Sequence, residues 1–159
     1  MELTHLKQDG SVNMVDISSK YSSYREATAQ GKIYMSKECF LEVVKGNMKK
    51  GDVLTVAKVA AIMAVKKTDA IIPLCHQIDI AKIDVNFTLN EEEYSIICVT
   101  TVKTNAKTGV EMEALLGVEI GLIAIYDMCK ALDKSMKITD ICLQRKIGGK
   151  SGEYLNESI

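Results

Sequence analysis

The segment Val110 to Leu132 most constrains the fold, because it predicts a long helix with apolar residues on almost every side. Its large apolar residues are Leu115, Leu116, Val118, Ile120, Leu122, Ile123, Ile125 and Met128. A helix that is hydrophobic all round is buried all round. The chain has 159 residues, which suits one domain of ordinary size, and a single small domain rarely covers a helix completely. We therefore expect part of this helix to contact another subunit.

Shorter patterned segments around this helix predict an α+β fold. Ile83 to Leu89 alternates apolar and polar residues, and Tyr94 to Lys103 is rich in Ile, Val and Thr, so together they predict a β-hairpin. Asp52 to Lys67 predicts the first long helix, with Asp52 as its N-cap. The other predicted elements are a short strand at Lys32 to Met35, a short helix at Ser36 to Lys45 with Ser36 as its N-cap, and a last strand at Met136 to Arg145.

The order of these elements is strand, helix, strand, strand, helix, strand, which is the ferredoxin-like βαββαβ pattern. It predicts an antiparallel four-stranded sheet with two long helices on one face, and leaves the other face available for assembly. Residues 1–30 are polar and predict an N-terminal arm, whereas residues 146–159 are polar, begin with a basic, glycine-rich stretch and predict a flexible tail. We expect residues 1–159 to form a single catalytic domain.

Composition narrows the functional classes. A formal net charge of −1 and an aromatic content of 5% argue against a nucleic-acid binder that uses bulk basicity or base stacking. The longest apolar stretches are interrupted by charges before they reach membrane-spanning length, and residues 1–10 lack the apolar core of a signal peptide. We expect a cytoplasmic protein that binds neither nucleic acid nor membrane.

Cysteine and histidine usage predicts no metal site. The five cysteines form no CxxC pair, their number is odd, and only two histidines are present. We expect free thiols that pack as small hydrophobic residues in a reducing compartment.

Three segments carry polar residues that the fold alone would not require. Lys50 to Asp52 precedes the first long helix, where free N–H groups favour anions, although a capped helix with a solvated lysine explains the same pattern. His76 follows the apolar turn Pro73 to Cys75, and fits either a phosphate donor or acid–base group or a histidine at the edge of the core. Glu111 and Glu113 begin the second long helix, where carboxylates also simply complement the helix dipole.

A fourth segment contains Asp127 and Lys130, three residues apart and thus on one face of the second long helix. Their neighbours are apolar, so the sequence predicts a buried ion pair, whose costly desolvation indicates a functional reason. Burial moves the pKa of a lysine towards neutrality, whereas the aspartate holds the lysine charged, and both effects suit proton transfer. The glycine-rich segment Lys146 to Gly152 fits either a lid that closes on a phosphate or a frayed terminus.

In order along nearly the whole chain, these segments resemble the cyclic pyranopterin monophosphate synthase family of molybdenum cofactor biosynthesis. The matching pieces are Met14–Ser18, Arg25–Ala27, Lys50–Val53, Ile72–His76, Thr108–Leu115, Ile125–Ala131 and Gly148–Gly152. The resemblance implies a lyase that converts 3′,8-cyclo-7,8-dihydro-GTP to cyclic pyranopterin monophosphate and releases pyrophosphate. It also implies a ferredoxin-like subunit in a homohexamer, a trimer of dimers, with active sites at subunit interfaces.

The resemblance further implies roles for ten residues. Asp127 is expected to be catalytic, with Lys50 and Lys130 as acid–base and charge-stabilising groups. The expected substrate-binding residues are Leu74, Cys75, His76, Met112 and Glu113, with Arg25 and Lys150 on the triphosphate. The resemblance implies no metal ligand and no cofactor, and leaves open whether Mg²⁺ accompanies the pyrophosphate.

The chain departs from the family pattern at Gln77, where proline is expected, and at Ile147, where serine is expected. Lys58 and Ala61 likewise replace an arginine and a glycine, and none of these four positions carries an expected role. Two alternatives from other classes are a non-catalytic regulator that binds a guanine nucleotide in the same basic pocket and a single-stranded RNA binder. The expected buried pair of Asp127 and Lys130 favours the enzyme, because binding phosphate alone requires no aspartate there.

Overall fold

The computed structural model describes residues 9–150 and 152–157, which form a five-stranded antiparallel sheet and four helices. The strands are β1 (Ser23–Tyr34), β2 (Lys82–Asn90), β3 (Ser95–Ala106), β4 (Lys137–Ile147) and β5 (Tyr154–Leu155). The helices are α1 (Lys37–Lys45), α2 (Val53–Val65), α3 (Thr68–Ile71) and α4 (Glu111–Cys129). The strand order is β2-β3-β1-β4-β5. The predicted α+β class is confirmed, with one strand more than predicted.

The first strand is much longer than predicted and corrects the boundary of the N-terminal arm. β1 begins at Ser23, so the last eight residues of the arm predicted at residues 1–30 belong to a strand. This strand is central, because it pairs with β3 on one side and with β4 on the other. Its inward-facing residues include the small Ala27 and Ala29, separated by the polar Thr28. Such a segment is too weakly hydrophobic to predict a strand by itself.

The C-terminal segment also differs from the predicted flexible tail. Lys146 is the penultimate residue of β4, and β5 pairs with Arg145 and Lys146 of that strand. Nε of Arg145 donates to Glu153 at 2.7 Å, which adds a side-chain contact beside this pairing. Residues 1–8 of the predicted arm and residues 151, 158 and 159 of the predicted tail lie outside the described residues.

Two helices begin at the predicted N-caps. The Ser36 hydroxyl accepts from the N–H of Cys39 at 3.3 Å, and the Asp52 carboxylate accepts from the N–H of Thr55 at 3.0 Å. Each bond satisfies an N–H group that the first turn of a helix leaves unpaired. The short helix α3 follows α2 after a two-residue turn and is not among the predicted elements.

The core lies between the sheet and the two long helices. α4 packs on β1, β3 and β4, and α2 packs on α4 and β2, so both long helices cover one face of the sheet. Val118, Leu122 and Ile125 of α4 are fully buried in this layer. The opposite face of the sheet carries ion pairs such as Lys103 with Glu26 at 3.2 Å.

One stripe of α4 contradicts the prediction that this helix is buried on all sides. Met112, Ile123, Asp127 and Lys130 recur at helical spacing and are exposed in the single chain. Met112 and Ile123 in this stripe are large and apolar, so the chain by itself leaves part of the apolar surface of α4 uncovered. Within residues 9–150 and 152–157, no helix has both the length and the apolar character needed to cross a membrane.

Candidate active site

The three residues predicted to be catalytic meet at the C-terminal end of α4. Asp127 lies in the last turn, and its Oδ1 is 2.7 Å from Nζ of Lys130 while its Oδ2 is 3.3 Å from Nζ of Lys50. Nζ of Lys50 also donates to the backbone carbonyl of Asp127 at 2.8 Å. Lys50 lies in the turn before α2. Its ammonium group therefore pairs with a backbone carbonyl that the C-terminal end of α4 leaves without a partner inside the helix. We refer to these three residues as the triad.

The triad is strongly paired but open to solvent. The hydrogen bond from Lys130, and next the bond from Lys50, hold the pKa of Asp127 below its usual value. The bond to Asp127 raises the pKa of Lys130 in turn. The side chains are exposed by 45% for Lys50, 56% for Asp127 and 52% for Lys130. The predicted burial of the Asp127–Lys130 pair is therefore wrong for a single chain, because the pair lies on the uncovered stripe of α4.

A second group of predicted residues lines a cavity of about 330 Å³ at the N-terminal end of α4, which we call the small cavity. Leu74, Cys75 and His76 contribute from the segment after α3, and Met112 and Glu113 contribute from the first turn of α4. The five residues that are expected to bind the part of the substrate other than its triphosphate therefore lie together.

Glu113 is the buried charged residue of the small cavity, with only 4% of its surface exposed. Burial raises the pKa of Glu113 to about 7, and the neighbouring Glu111 carboxylate adds to the rise. Glu113 is therefore about half protonated at neutral pH, which suits a group that exchanges a proton or a hydrogen bond with a ligand. Burial also raises the pKa of Cys75, so its thiol stays protonated and is a poor nucleophile.

A larger cavity of about 1080 Å³ adjoins the small one, and we call it the basic cavity. The predicted triphosphate ligands Arg25 and Lys150 both line it. Three further cations that the sequence analysis did not assign also line it: Lys20, Lys107 and Lys146. Among the described residues, five cations against two carboxylates line the cavity, which makes it a site for anions. Single lysines are commonplace, and no sequence spacing marks these three, since they come from separate segments.

Gly149 shapes the basic cavity by lying against Arg25. Its φ is +80°, and a Cβ at this position would overlap Nη1 of Arg25, so glycine lets the backbone pass here without displacing the guanidinium. Nε of Arg25 also donates to the carbonyl of Ala106 at 3.4 Å. The guanidinium is thus held between the end of β3 and the segment after β4, facing the cavity.

The two groups of residues lie at opposite ends of one helix. Met112 and Asp127 are 15 positions apart on α4, which corresponds to about 22 Å at about 1.5 Å per residue. The structure therefore brings the triad together, and brings the other seven predicted residues together in two adjoining cavities. It does not unite these two groups around one reacting centre within a single chain.

The five cysteines differ in burial. All are free thiols, and Cys39, Cys98 and Cys129 are buried as predicted, whereas Cys75 and Cys142 are only half-buried. Within the part of the chain that the structure describes, no cluster of three or more His, Cys, Asp or Glu side chains is placed to hold a metal ion.

Comparison with known proteins places the chain in a family. The model of the MoaC family matches residues 14–149, which include the triad and most of both cavities. The chain belongs to the MoaC family. Nine of the ten predicted site residues lie inside the MoaC match, and Lys150 lies one position beyond it.

Members of the MoaC family from several bacteria are similar over their full length. A cyclic pyranopterin monophosphate synthase from Peptoclostridium acidaminophilum is 52% identical over 159 residues, which covers 100% of both chains. A protein of the same name from Campylobacter lari is 54% identical over 155 residues, covering 98% of this chain and 99% of the relative. Another from Heliobacterium modesticaldum is 48% identical over 155 residues and covers 98% of each chain.

Proposed function

We propose that this chain converts 3′,8-cyclo-7,8-dihydro-GTP to cyclic pyranopterin monophosphate and pyrophosphate, as a phosphorus–oxygen lyase of molybdenum cofactor biosynthesis. The observation that carries the proposal is the full-length similarity to MoaC family members that share the name cyclic pyranopterin monophosphate synthase. The geometry of the site supports it in three ways, through the basic cavity, the small cavity and the triad.

The two cavities match the two halves of this substrate. Its triphosphate carries several negative charges, which suit the five cations of the basic cavity, with Arg25 and Lys150 among them. Its ring system carries N–H and carbonyl groups, which suit the small cavity, where His76 and the half-protonated Glu113 can exchange hydrogen bonds. Formation of the cyclic monophosphate makes one P–O bond at the α-phosphorus and breaks the P–O bond to pyrophosphate. The cations then stabilise the charge that develops on the leaving oxygens.

The triad suits the proton transfers of the ring rearrangement, in which protons move among carbon, nitrogen and oxygen atoms. An ionised Asp127 is a base, and the ammonium groups of Lys50 and Lys130 are acids, all joined by contacts of 3.3 Å or less. Such positioned groups typically accelerate a reaction about 10²–10⁴-fold. The same ammonium groups stabilise negative charge on an intermediate.

We also propose that two copies share each complete site, in a homohexamer built as a trimer of dimers. In a dimer with a twofold axis, the C-terminal end of α4 in each copy lies beside the N-terminal end of α4 in the other copy. This would close the gap of about 22 Å between the two groups. Large apolar side chains on the two long helices are exposed for such a contact: Val56, Val59, Met63 and Ile123. The same contact would cover the triad and account for the burial that the sequence predicts.

We further propose that the fold is ferredoxin-like and that residues 1–159 form one catalytic domain. The strands β2-β3-β1-β4 and the helices α2 and α4 support this proposal, because each long helix joins two strands that are not neighbours in the sheet. β5 then extends the edge beside β4. We place the enzyme in the cytoplasm, acting on a small molecule without a nucleic-acid or membrane partner.

Pyrophosphate release from freshly prepared cyclised dihydro-GTP tests the proposed reaction. The native protein is expected to release pyrophosphate, whereas Lys130→Ala is expected to lose most of this activity. Lys134→Ala is the matched control, because it removes another exposed lysine just beyond α4, and it should keep the native rate. Nucleotide binding without release by the native protein would favour the regulator instead.

Complementation between two inactive variants tests the sharing of sites. Lys130→Ala and His76→Ala are co-expressed, so that mixed assemblies form. In a twofold dimer that contains one chain of each kind, one site has both native groups and the other has neither. Random mixing should therefore restore about a quarter of the native activity. Activity no higher than that of the separate variants would show that the sites are not shared in this way.

A further inference from the structure

The small cavity and the basic cavity share a wall that includes Thr108, Gly109 and Glu111. The Glu111 side chain folds back over Gly109, where a Cβ would overlap its Oε2 atom, so glycine leaves the space that the carboxylate occupies. From β4, Nζ of Lys146 donates to Oε1 of Glu111 at 2.9 Å. Both side chains are less than a third exposed, at 28% and 29%. The wall between the cavities is therefore built around an ion pair.

The two carboxylates that line the basic cavity differ in their partners. Glu26 is neutralised by cations on the open face of the sheet, with Lys103 at 3.2 Å and Arg145 at 3.9 Å, and neither of these cations lines the cavity. Glu111 is neutralised by Lys146, which does line the cavity. A phosphate in the basic cavity therefore competes with Glu111 for Lys146, because phosphate oxygens are also strong acceptors for an ammonium group.

On the other side of the wall, Glu113 responds to the charge of Glu111, which lies two positions away on α4. Of the charged and titratable groups around Glu113, Glu111 and Asp69 both raise the pKa of Glu113, after burial as the main cause. The cavity walls that adjoin Glu113 also carry the titratable side chains of His76, Cys75 and Lys66. While Lys146 is paired with the Glu111 carboxylate, its positive charge partly offsets the effect of Glu111 on the pKa of Glu113. That effect grows if Lys146 leaves Glu111.

We propose that the Lys146–Glu111 ion pair couples the two cavities: phosphate binding draws Lys146 from Glu111, and the unpaired Glu111 then favours the protonated form of Glu113. This inference rests on the proposed function, in which the basic cavity holds the triphosphate. The proton comes from solvent and binds to a carboxylate oxygen of Glu113. Glu113 thus becomes a proton donor to the substrate ring when the phosphates are seated, and Lys146 returns to Glu111 when pyrophosphate leaves. Glu111 acts as a positioning residue, through Lys146 and Glu113.

Proton uptake on pyrophosphate binding tests this coupling without any turnover. Calorimetric titration of pyrophosphate at pH 7, in buffers of different ionisation enthalpy, gives the number of protons bound per ligand. A rise in the pKa of Glu113 above about 7 increases its protonated fraction at pH 7. The native protein should therefore bind more protons per pyrophosphate than Glu113→Gln does, by on the order of a few tenths of a proton.

Three further variants decide where the extra proton arises. Glu111→Gln and Lys146→Met should both lose it, since neither has an ion pair that phosphate can open. Glu92→Gln removes an exposed carboxylate in the turn between β2 and β3, far from both cavities, and should retain it.

Equal proton uptake by the native protein and Glu113→Gln would overturn the coupling, and so would the absence of pyrophosphate binding to the native protein. The pyrophosphate-release assay separates this inference from the proposed function. Turnover without the extra proton overturns the coupling and leaves the proposed function in place. The extra proton without turnover overturns the proposed function and leaves the coupling.

Discussion

The two ends of α4 hold the same functional group in opposite environments. At the C-terminal end, Asp127 is about half exposed and contacts two ammonium groups, and these contacts lower its pKa. At the N-terminal end, Glu113 is buried and has no ion-pair partner among the described residues, and burial raises its pKa to about 7. One carboxylate is therefore kept ionised at neutral pH, while the other is poised to take up a proton.

The helix dipole alone would produce the reverse pattern. It favours a charged carboxylate at the N-terminus of a helix and disfavours one at the C-terminus. Here Lys50 and Lys130 outweigh the dipole at Asp127, and desolvation outweighs it at Glu113. Pairs of titratable groups whose environments push their pKa values apart mark the division into acid and base roles. This division supports a base at one end of α4 and an acid at the other.

The largest effect is expected at the ionised end. Asp127→Asn removes the base but keeps the size of the side chain, so the pyrophosphate-release rate should fall on the order of 10²–10⁴-fold. The melting temperature should change little, because ion pairs between exposed side chains such as these contribute little to stability. Glu92→Gln is the control for the loss of one exposed carboxylate. Near-native turnover by Asp127→Asn would remove Asp127 from the site.

The buried end predicts a change in stability with pH. The pKa of Glu113 in the folded protein, about 7, lies above the ordinary glutamate pKa of 4.5. The folded state then binds more protons, so its stability falls as the pH rises between these values. This difference is worth about 3 kcal/mol. From pH 5 to pH 8, the unfolding free energy of the native protein should therefore fall more than that of Glu113→Gln. The difference between the two decreases should be up to about 3 kcal/mol.

Urea denaturation at a fixed protein concentration measures this difference, because assembly makes the apparent stability depend on concentration. The same pH dependence in both proteins would show that Glu113 titrates normally, and the contrast between the two ends of α4 would then be lost.

The smallest effect is expected beside the basic cavity. Gly149→Ala places a Cβ against Arg25 and displaces the guanidinium, so KM should rise about 10-fold, as for the loss of one charge-assisted contact, with kcat little changed. Gly152→Ala is the matched control, since Gly152 also has a positive φ of +66°, but no atom of the described residues other than its chain neighbours lies within 4 Å of the added Cβ. An equal rise in both variants would assign the effect to backbone strain rather than to Arg25.

Local patterns predicted much of the fold. The caps Ser36 and Asp52, the hairpin of β2 and β3, and the length of α4 all follow from residues close together in the chain. β1 could not be predicted in full, because a central strand with small inward residues such as Ala27 and Ala29 lacks a strong hydrophobic pattern. The pairing of β5 depends on β4, which no short window of sequence contains.

The sequence analysis proposed the members of the candidate site but not their arrangement. The resemblance named all ten residues, and the structure groups them into a triad and two cavities. Lys20 and Lys107 were given no role, and Lys146 was considered only as part of a segment that fits a phosphate lid, since only the fold brings these three segments to one cavity.

By itself the sequence determined the helix caps, the hairpin and the apolar character of α4, because hydrogen-bond caps and residue periodicity act over a few neighbouring positions. Only the tertiary structure decided which carboxylate is ionised and which takes up a proton. The pKa of a group depends on neighbours in space. Lys50, which helps to keep Asp127 ionised, lies 77 positions away from it in the chain.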